Sequence, residues 1–148
     1  MITDIQAEDE VFGIANSAWL AAIVGIDLTY VPAIYFPDAI VSTPDPTQIY
    51  AECDLKIVLS KQASLCRYQG QSFSDNIGLL SIQIYSPKQS GSSLRVAKII
   101  GATIKNAFCK PSPSGYIWFQ GQRITPVAGN ATRNQVNVVV TCTYRTIQ

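Results

Sequence analysis

One stretch restricts the fold of this chain more than any other: an alternating strand that runs straight into a polar turn and then an amphipathic helix. Gly78, Leu80, Ile82 and Ile84 recur at every second position against Ser81, Gln83 and Tyr85, the spacing of a strand with one buried face. Residues 86–91, Ser-Pro-Lys-Gln-Ser-Gly, break that pattern. Over residues 92–108, Leu94, Ala97, Ile100, Gly101, Ile104, Ala107 and Phe108 then fall on one arc at about 100° per residue. A strand and a helix joined this closely are expected to pack on each other, the helix lying on the sheet.

The rest of the chain supplies compatible pieces. Thr3 and Gln6 have the spacing of a capping box, and Asp4, Glu8, Asp9 and Glu10 place negative charge at the positive end of a helix dipole. Val11, Ala15, Ala18 and Ala22, flanked by Phe12, Trp19 and Ile23, draw one apolar face, and Gly25 is placed to end the helix in the left-handed conformation. Residues 27–47 hold Pro32, Pro37, Pro44 and Pro46, which leave room only for short extended pieces such as 34–36. A long excursion of this kind is expected to make a contact between subunits. Residues 49–60 alternate, with Cys53, Leu55, Ile57 and Leu59 on one side and Glu52, Asp54, Lys56 and Ser60 mostly on the other. A weaker strand over 63–68 would complete an antiparallel meander with 77–85. Lys110-Pro-Ser-Pro-Ser-Gly115 forces a turn, and strands over 116–127 and 135–146 follow, joined near Gly129 and Asn130. The expectation is a single α+β domain over 1–148, a mostly antiparallel sheet packed by two helices in the order α-β-β-β-α-β-β.

With 148 residues and 47% hydrophobic content, such a domain can bury a core without metal or disulfide staples. Charged residues make up only 14%, against roughly 25% in ordinary soluble domains, which suggests a surface partly covered by neighbours. A net charge of +1 gives no field for strong nucleic-acid binding. No apolar run approaches the roughly 18 residues of a spanning helix, and the start Met1-Ile2-Thr3-Asp4 lacks the basic opening of a secretory signal, so no membrane is expected and synthesis reads as cytosolic.

Enzymatic chemistry finds little support. The chain has no histidine, and Cys53, Cys66, Cys109 and Cys142 form no C-x-x-C pair, which makes a poor metal signature. All four read as structural, reduced and buried. Ser90-Gly91-Ser92-Ser93 with Lys88 nearby does not match G-x-S-x-G or the Walker pattern, so a turn and helix cap describe it better than a nucleophile or anion site. No catalytic residue, cofactor or metal ligand is assigned.

Charge patterning is more informative. The first helix opens with Glu8, Asp9 and Glu10. The second presents Arg95, Lys98 and Lys105 along one flank, with Ile99 apolar and outside the buried arc. In a ring every interface joins two different patches of identical subunits, and an acidic patch meeting a basic one sets register. These seven residues are therefore the candidate subunit interface.

The opening helix with Trp19, the proline-containing lead-in ending near Tyr50, the strand over 51–59, the run Leu79-Leu80-Ser81-Ile82-Gln83-Ile84-Tyr85-Ser86-Pro87, Gly91, the helix to Phe108 and two closing strands ending in Tyr144 together resemble the tail-terminator (tail-completion) proteins of long-tailed bacteriophages. The turn at 86–91 departs from the more glycine-rich turn of that family. The resemblance implies a structural virion protein, made in the host cytoplasm. It would close as a hexameric ring on the head-proximal end of the tail tube, stop tube elongation and join the tail to the head-side connector. It implies no reaction and no cofactor. Its partners would be further copies of itself, the tube protein, the connector, and genomic DNA passing without sequence specificity. Lys56, Lys61, Lys88 and Arg123 are the candidates to face that DNA in the bore. Two other readings stand beside it. One is another head-tail connector or neck component. The other is a small single-stranded nucleic-acid-binding domain using Tyr116, Trp118 and Phe119 for stacking, although Ile117 and Phe119 are more simply core.

Overall fold

A computed structural model describes residues 2–39, 44–63, 72–88 and 93–147. The chain opens with helix α1 (Asp4–Val24), started by the capping box read from the sequence: Thr3 Oγ1 accepts from the Gln6 amide at 3.2 Å and Gln6 Oε1 accepts from the Thr3 amide at 3.0 Å. Ala7, Val11, Ala15, Ala18, Trp19 and Ala22 form its buried stripe. Gly25 does not adopt the expected left-handed conformation; it sits at φ −78°, ψ 0°. The last turn tightens instead, the Ile26 amide donating to the Ile23 carbonyl three residues back, which satisfies a helix end without a positive φ.

Strands β1 (Ala33–Tyr35), β2 (Tyr50–Gln62) and β3 (Phe73–Pro87) follow, then helix α2 (Ser93–Ala107) and strands β4 (Ile117–Val127) and β5 (Arg133–Ile147). The element order α-β-β-β-α-β-β and the α+β class agree with the sequence reading. The sheet has five strands in the order β1-β2-β3-β5-β4. It is not a simple meander, because β1 pairs parallel with the first residues of β2 and β5 inserts between β3 and β4. β3 and β4 thus run parallel with a gap between them, spanned by α2 and filled by β5. The weak strand expected over 63–68 lies largely outside the described residues, as do Cys66, residues 89–91 of the expected turn and the expected first helical residue, 92; β3 itself continues through Ser86 and Pro87.

Both helices pack on one face of the sheet. Leu80, Ile82 and Ile84 of β3 and Val136, Val138, Val140 and Cys142 of β5 are fully buried beneath them, with Ile100, Ile104 and Phe108 of α2 above. Leu94 departs from the expected arc and is 36% exposed. Ser93 takes the inward place at that end, its hydroxyl accepting from Asn134 Nδ2 at 3.1 Å. Gly101 lies against Ile84, Val136 and Val138, where even a bare Cβ would be only 3.4 Å from the Val138 side chain. The chain ends meet beside β5: Ile2 bridges Thr146 in parallel, and the Ile147 amide donates to the Ile2 carbonyl.

The strand β2 departs from expectation in its second half. Its alternation holds through Leu55, but a bulge between Ile57 and Leu59 shifts the register against β3. A bulge inserts one residue and turns the following side chains to the opposite face. Leu59 is consequently turned to the other face and is 53% exposed, and Val58 at the bulge is 67% exposed, whereas Ile57 keeps the register of Leu55, opposite Gly78, and is 49% exposed.

Candidate assembly surfaces

Directly paired residues of antiparallel strands share a face, so the registers define the side of the sheet that the helices leave bare. Running across it are the rows Lys56–Leu79–Thr141, Leu59–Ile77–Thr143–Trp118 and Lys61–Asp75–Arg145, while Arg123 stands beside Val139. Three of the residues picked as bore candidates, Lys56, Lys61 and Arg123, therefore project from one bare face although they come from strands at opposite sides of the sheet. Lys88, the fourth, lies beyond the end of β3, its amide donating to the Thr132 carbonyl at 2.9 Å. Between the cations the face is mostly amide and hydroxyl: Ser81, Gln83, Asn137, Thr141 and Thr143, each half-buried.

The ionic pattern on this face is uneven. Arg145 donates to both Asp75 carboxylate oxygens, at 2.6 and 3.1 Å, a two-pronged contact that also fixes orientation. That hydrogen bond, helped by the charges of Arg145 and Lys61, holds the Asp75 carboxyl below its ordinary value. Lys56 reaches Asp54 at only 4.0 Å between exposed side chains. Arg123 forms no ion pair among the described residues.

At the other end of the same face stands a group that the sequence reading did not single out. The buried Arg133 side chain donates to the carbonyls of Gln48 at 3.1 Å and Asp45 at 2.9 Å, and its guanidinium lies 4.7 Å from the centre of the Tyr50 ring. Tyr50 stacks on Tyr85 at 4.8 Å and meets Tyr35 edge-on. Burial raises the Tyr50 and Tyr85 phenols above their ordinary values. This cluster fastens the proline-rich excursion to β5. An arginine ahead of the alternating apolar positions Val136, Val138 and Val140 was the available clue.

The candidate interface residues lie on the helical side. Glu8, Asp9, Arg95, Lys98 and Ile99 are exposed, and Lys105 is half-buried. Glu10 is engaged within its own subunit: its Oε1 accepts from the Ser114 amide at 3.1 Å and the Ser114 hydroxyl at 2.9 Å. Because α1 and α2 pack against each other, acidic and basic patches belong to one helical layer. The excursion contributes a separate apolar patch, where Val31, 79% exposed, joins Leu20 and Val24 of α1.

Among the aromatic residues weighed for stacking, Ile117 is buried and Phe119 packs edge-on against Phe108 at 5.1 Å. Trp118 and Tyr116 are 60% and 46% exposed. Of the cysteines, Cys53 and Cys142 are buried as expected, but Cys109 is exposed, placed just past the end of α2. Among the described residues no group of three or more histidine, cysteine or acidic side chains could hold a metal ion, and no helix is long and apolar enough to cross a membrane.

These features define an α+β protein with one sheet face covered by helices and one that the helices leave open, its end at Arg133 covered by residues 45–48. No family model matches the sequence, and none of the curated proteins matches it. Solved structures do match. One is similar over 95% of both chains, with a TM-score of 0.56 and 14% identity. That protein bears a serial identifier and no functional name, and the likeness establishes the fold alone.

Proposed function

We propose that this chain is a structural subunit of a bacteriophage tail: a tail terminator that forms a ring on the head-proximal end of the tube, stops its elongation and joins it to the head connector. The observation that carries the reading is the bare sheet face with Lys56, Lys61 and Arg123 projecting from it. Turned toward a bore, such a face offers passing DNA a polar, weakly basic lining without base-reading contacts, while the helices face outward. In a ring the modest charge of one subunit is repeated in every copy. No reaction and no cofactor belong to this role. The test is native mass spectrometry and electron microscopy of the purified protein with and without short tail-tube assemblies. A closed ring, formed alone or only on tube ends and halting tube growth, is the expected result; a monomer indifferent to tubes would sink the reading.

A second reading has one observation in its favour, the outward Trp118 and Tyr116 near Arg145. A single-stranded nucleic-acid platform would use such rings for stacking. Retention of single-stranded DNA on a filter at moderate salt, lost in Trp118→Ala, would favour it over the terminator.

A further inference from the structure

Among the described residues the sheet has two edges without a strand partner along most of their length. β1 pairs with β2 at Tyr50, Ala51 and Glu52, and Phe36, Pro37 and Ala39 follow it past Cys53 and Asp54; among the described residues no strand pairs with the outer side of residues 53–61 of β2. At the other side, β4 pairs with β5 and, among the described residues, with no other strand. Open edges of this length readily template pairing with another chain. The usual safeguards against it are incomplete, since Ile57, Val58 and Leu59 stand exposed in the middle of the β2 edge.

We propose that the β2 edge of one subunit pairs with the β4 edge of the next copy of this chain, joining the sheets into one continuous band around the ring. The proposal rests on the ring reading above and names its interface. Three properties of the two edges support it. The first is direction. From β2 through β3 and β5 to β4 every neighbour is antiparallel, so a following β2 would continue the alternation without a break. The second is register. Each edge strand carries one bulge, between Ile57 and Leu59 on β2 and between Gln120 and Arg123 on β4. Asp54 and Leu59 are separated by the same number of residues as Trp118 and Arg123. Placing Arg123 opposite Asp54 therefore sets Trp118 opposite Leu59, all four on the bare face, and the two bulges offset each other. The pairing matches the free cation of β4 with an acid and an exposed indole with an exposed leucine.

The third property is where the match stops. In the same register Pro126, which has no amide to donate, falls opposite Ala51, where β1 already occupies the edge. A heterologous contact of this kind does not stop at a pair: it gives a ring where its rotation closes and an open filament where it does not, and the ring reading above requires the first. Its occupant is a second copy, because both halves of the match lie on one chain.

Two experiments test it. In a background with Cys66 and Cys109 replaced by serine, Leu59→Cys with Trp118→Cys places the two thiols within disulfide range only across the proposed contact. Inside one subunit three strand spacings, roughly 14 Å, separate them. Mild oxidation with oxidised glutathione should give a ladder of covalent oligomers ending at the ring size. Separately, Asp54→Arg and Arg123→Asp should each raise the concentration for half-assembly about tenfold, and the double swap should restore it. A ring that survives both single reversals and gives no cross-link overturns this interface and leaves the terminator reading intact. Cross-linked bands without any effect on tubes support the edge pairing and overturn the terminator reading. A wild-type chain monomeric alone and with tubes, together with a double-cysteine variant that gives no cross-link, overturns both.

Discussion

The two buried thiols, Cys53 and Cys142, lie on the helix-covered face, on the two strands that flank β3. Burial pushes both up to about 12 from 9.0. The sign follows from linkage: a thiol whose folded value is raised favours folding fully below the unfolded value near 9.0, and that advantage is lost as pH climbs toward 12. Stability should therefore hold from neutrality to about pH 9 and fall above it, and Cys53→Ala with Cys142→Ala should flatten the alkaline limb in urea titrations at several pH values. The same burial makes these thiols inert at neutral pH, whereas Cys109 is open to reagent. Mass mapping after brief alkylation should find Cys109 modified in the native protein and Cys53 and Cys142 only after unfolding; rapid native alkylation of Cys142 would contradict the packing. The sequence places Cys53 and Cys142 in alternating strands, where burial follows from the pattern, but Cys109, just past the helix expected to end at Phe108, belongs to no such pattern, and the expectation that it too is buried fails there.

At the scale of elements, α2 depends on close approach to the sheet, and Gly101 is the point of closest fit. Glycine within a helix costs about 1 kcal/mol relative to alanine, and an added Cβ would reach only ordinary contact with Val138, Val136 and Ile84. Gly101→Ala is expected to be neutral or to stabilise by up to about 1 kcal/mol. Gly101→Leu should destabilise by about 2 kcal/mol or more through overpacking. Urea midpoints at unchanged slope would show both effects; a Gly101→Leu variant as stable as the parent would mean that the helix does not sit where it is described. Helices and long strands were legible in the sequence because capping and alternation are local: Thr3 with Gln6, and the even-numbered residues of β5 from Val136 to Thr146. Pairing is not local. Nothing in Ala33-Ile34-Tyr35 specifies a parallel partner, and the bulge at Val58 was hidden because Ile57-Val58-Leu59 reads as apolar in either register.

For the molecule as a whole, the candidate bore face was half legible. Alternation put Lys56 on the wet side of its strand, but that Arg123 shares this side follows from the strand order, which is set by long-range pairing through β3 and β5. The proposed role makes this face a question of charge and not of fit. Because Lys56 is 80% exposed and Arg123 is also exposed, reversing either charge should leave folding unchanged. In the terminator reading, Lys56→Glu with Lys61→Glu should preserve ring assembly while impairing DNA passage, measured as genome retention and ejection in assembled particles. Loss of the ring in that variant would count against a bore position for these lysines. Lys56 and Lys61 are the cleaner choice, since neither is one of the four residues matched across the proposed contact, whereas Arg123 is.

The parallel bridge between Ile2 and Thr146 brings the beginning and end of the fold to one corner, so the backbone path is nearly a closed circuit. A short linker across that corner and a new opening in the exposed turn at 113–115 would give a circularly permuted chain with every strand pairing retained. In a symmetric assembly the same proximity means that a label fused at either end marks the same rim, and which rim it marks would reveal how each subunit is oriented.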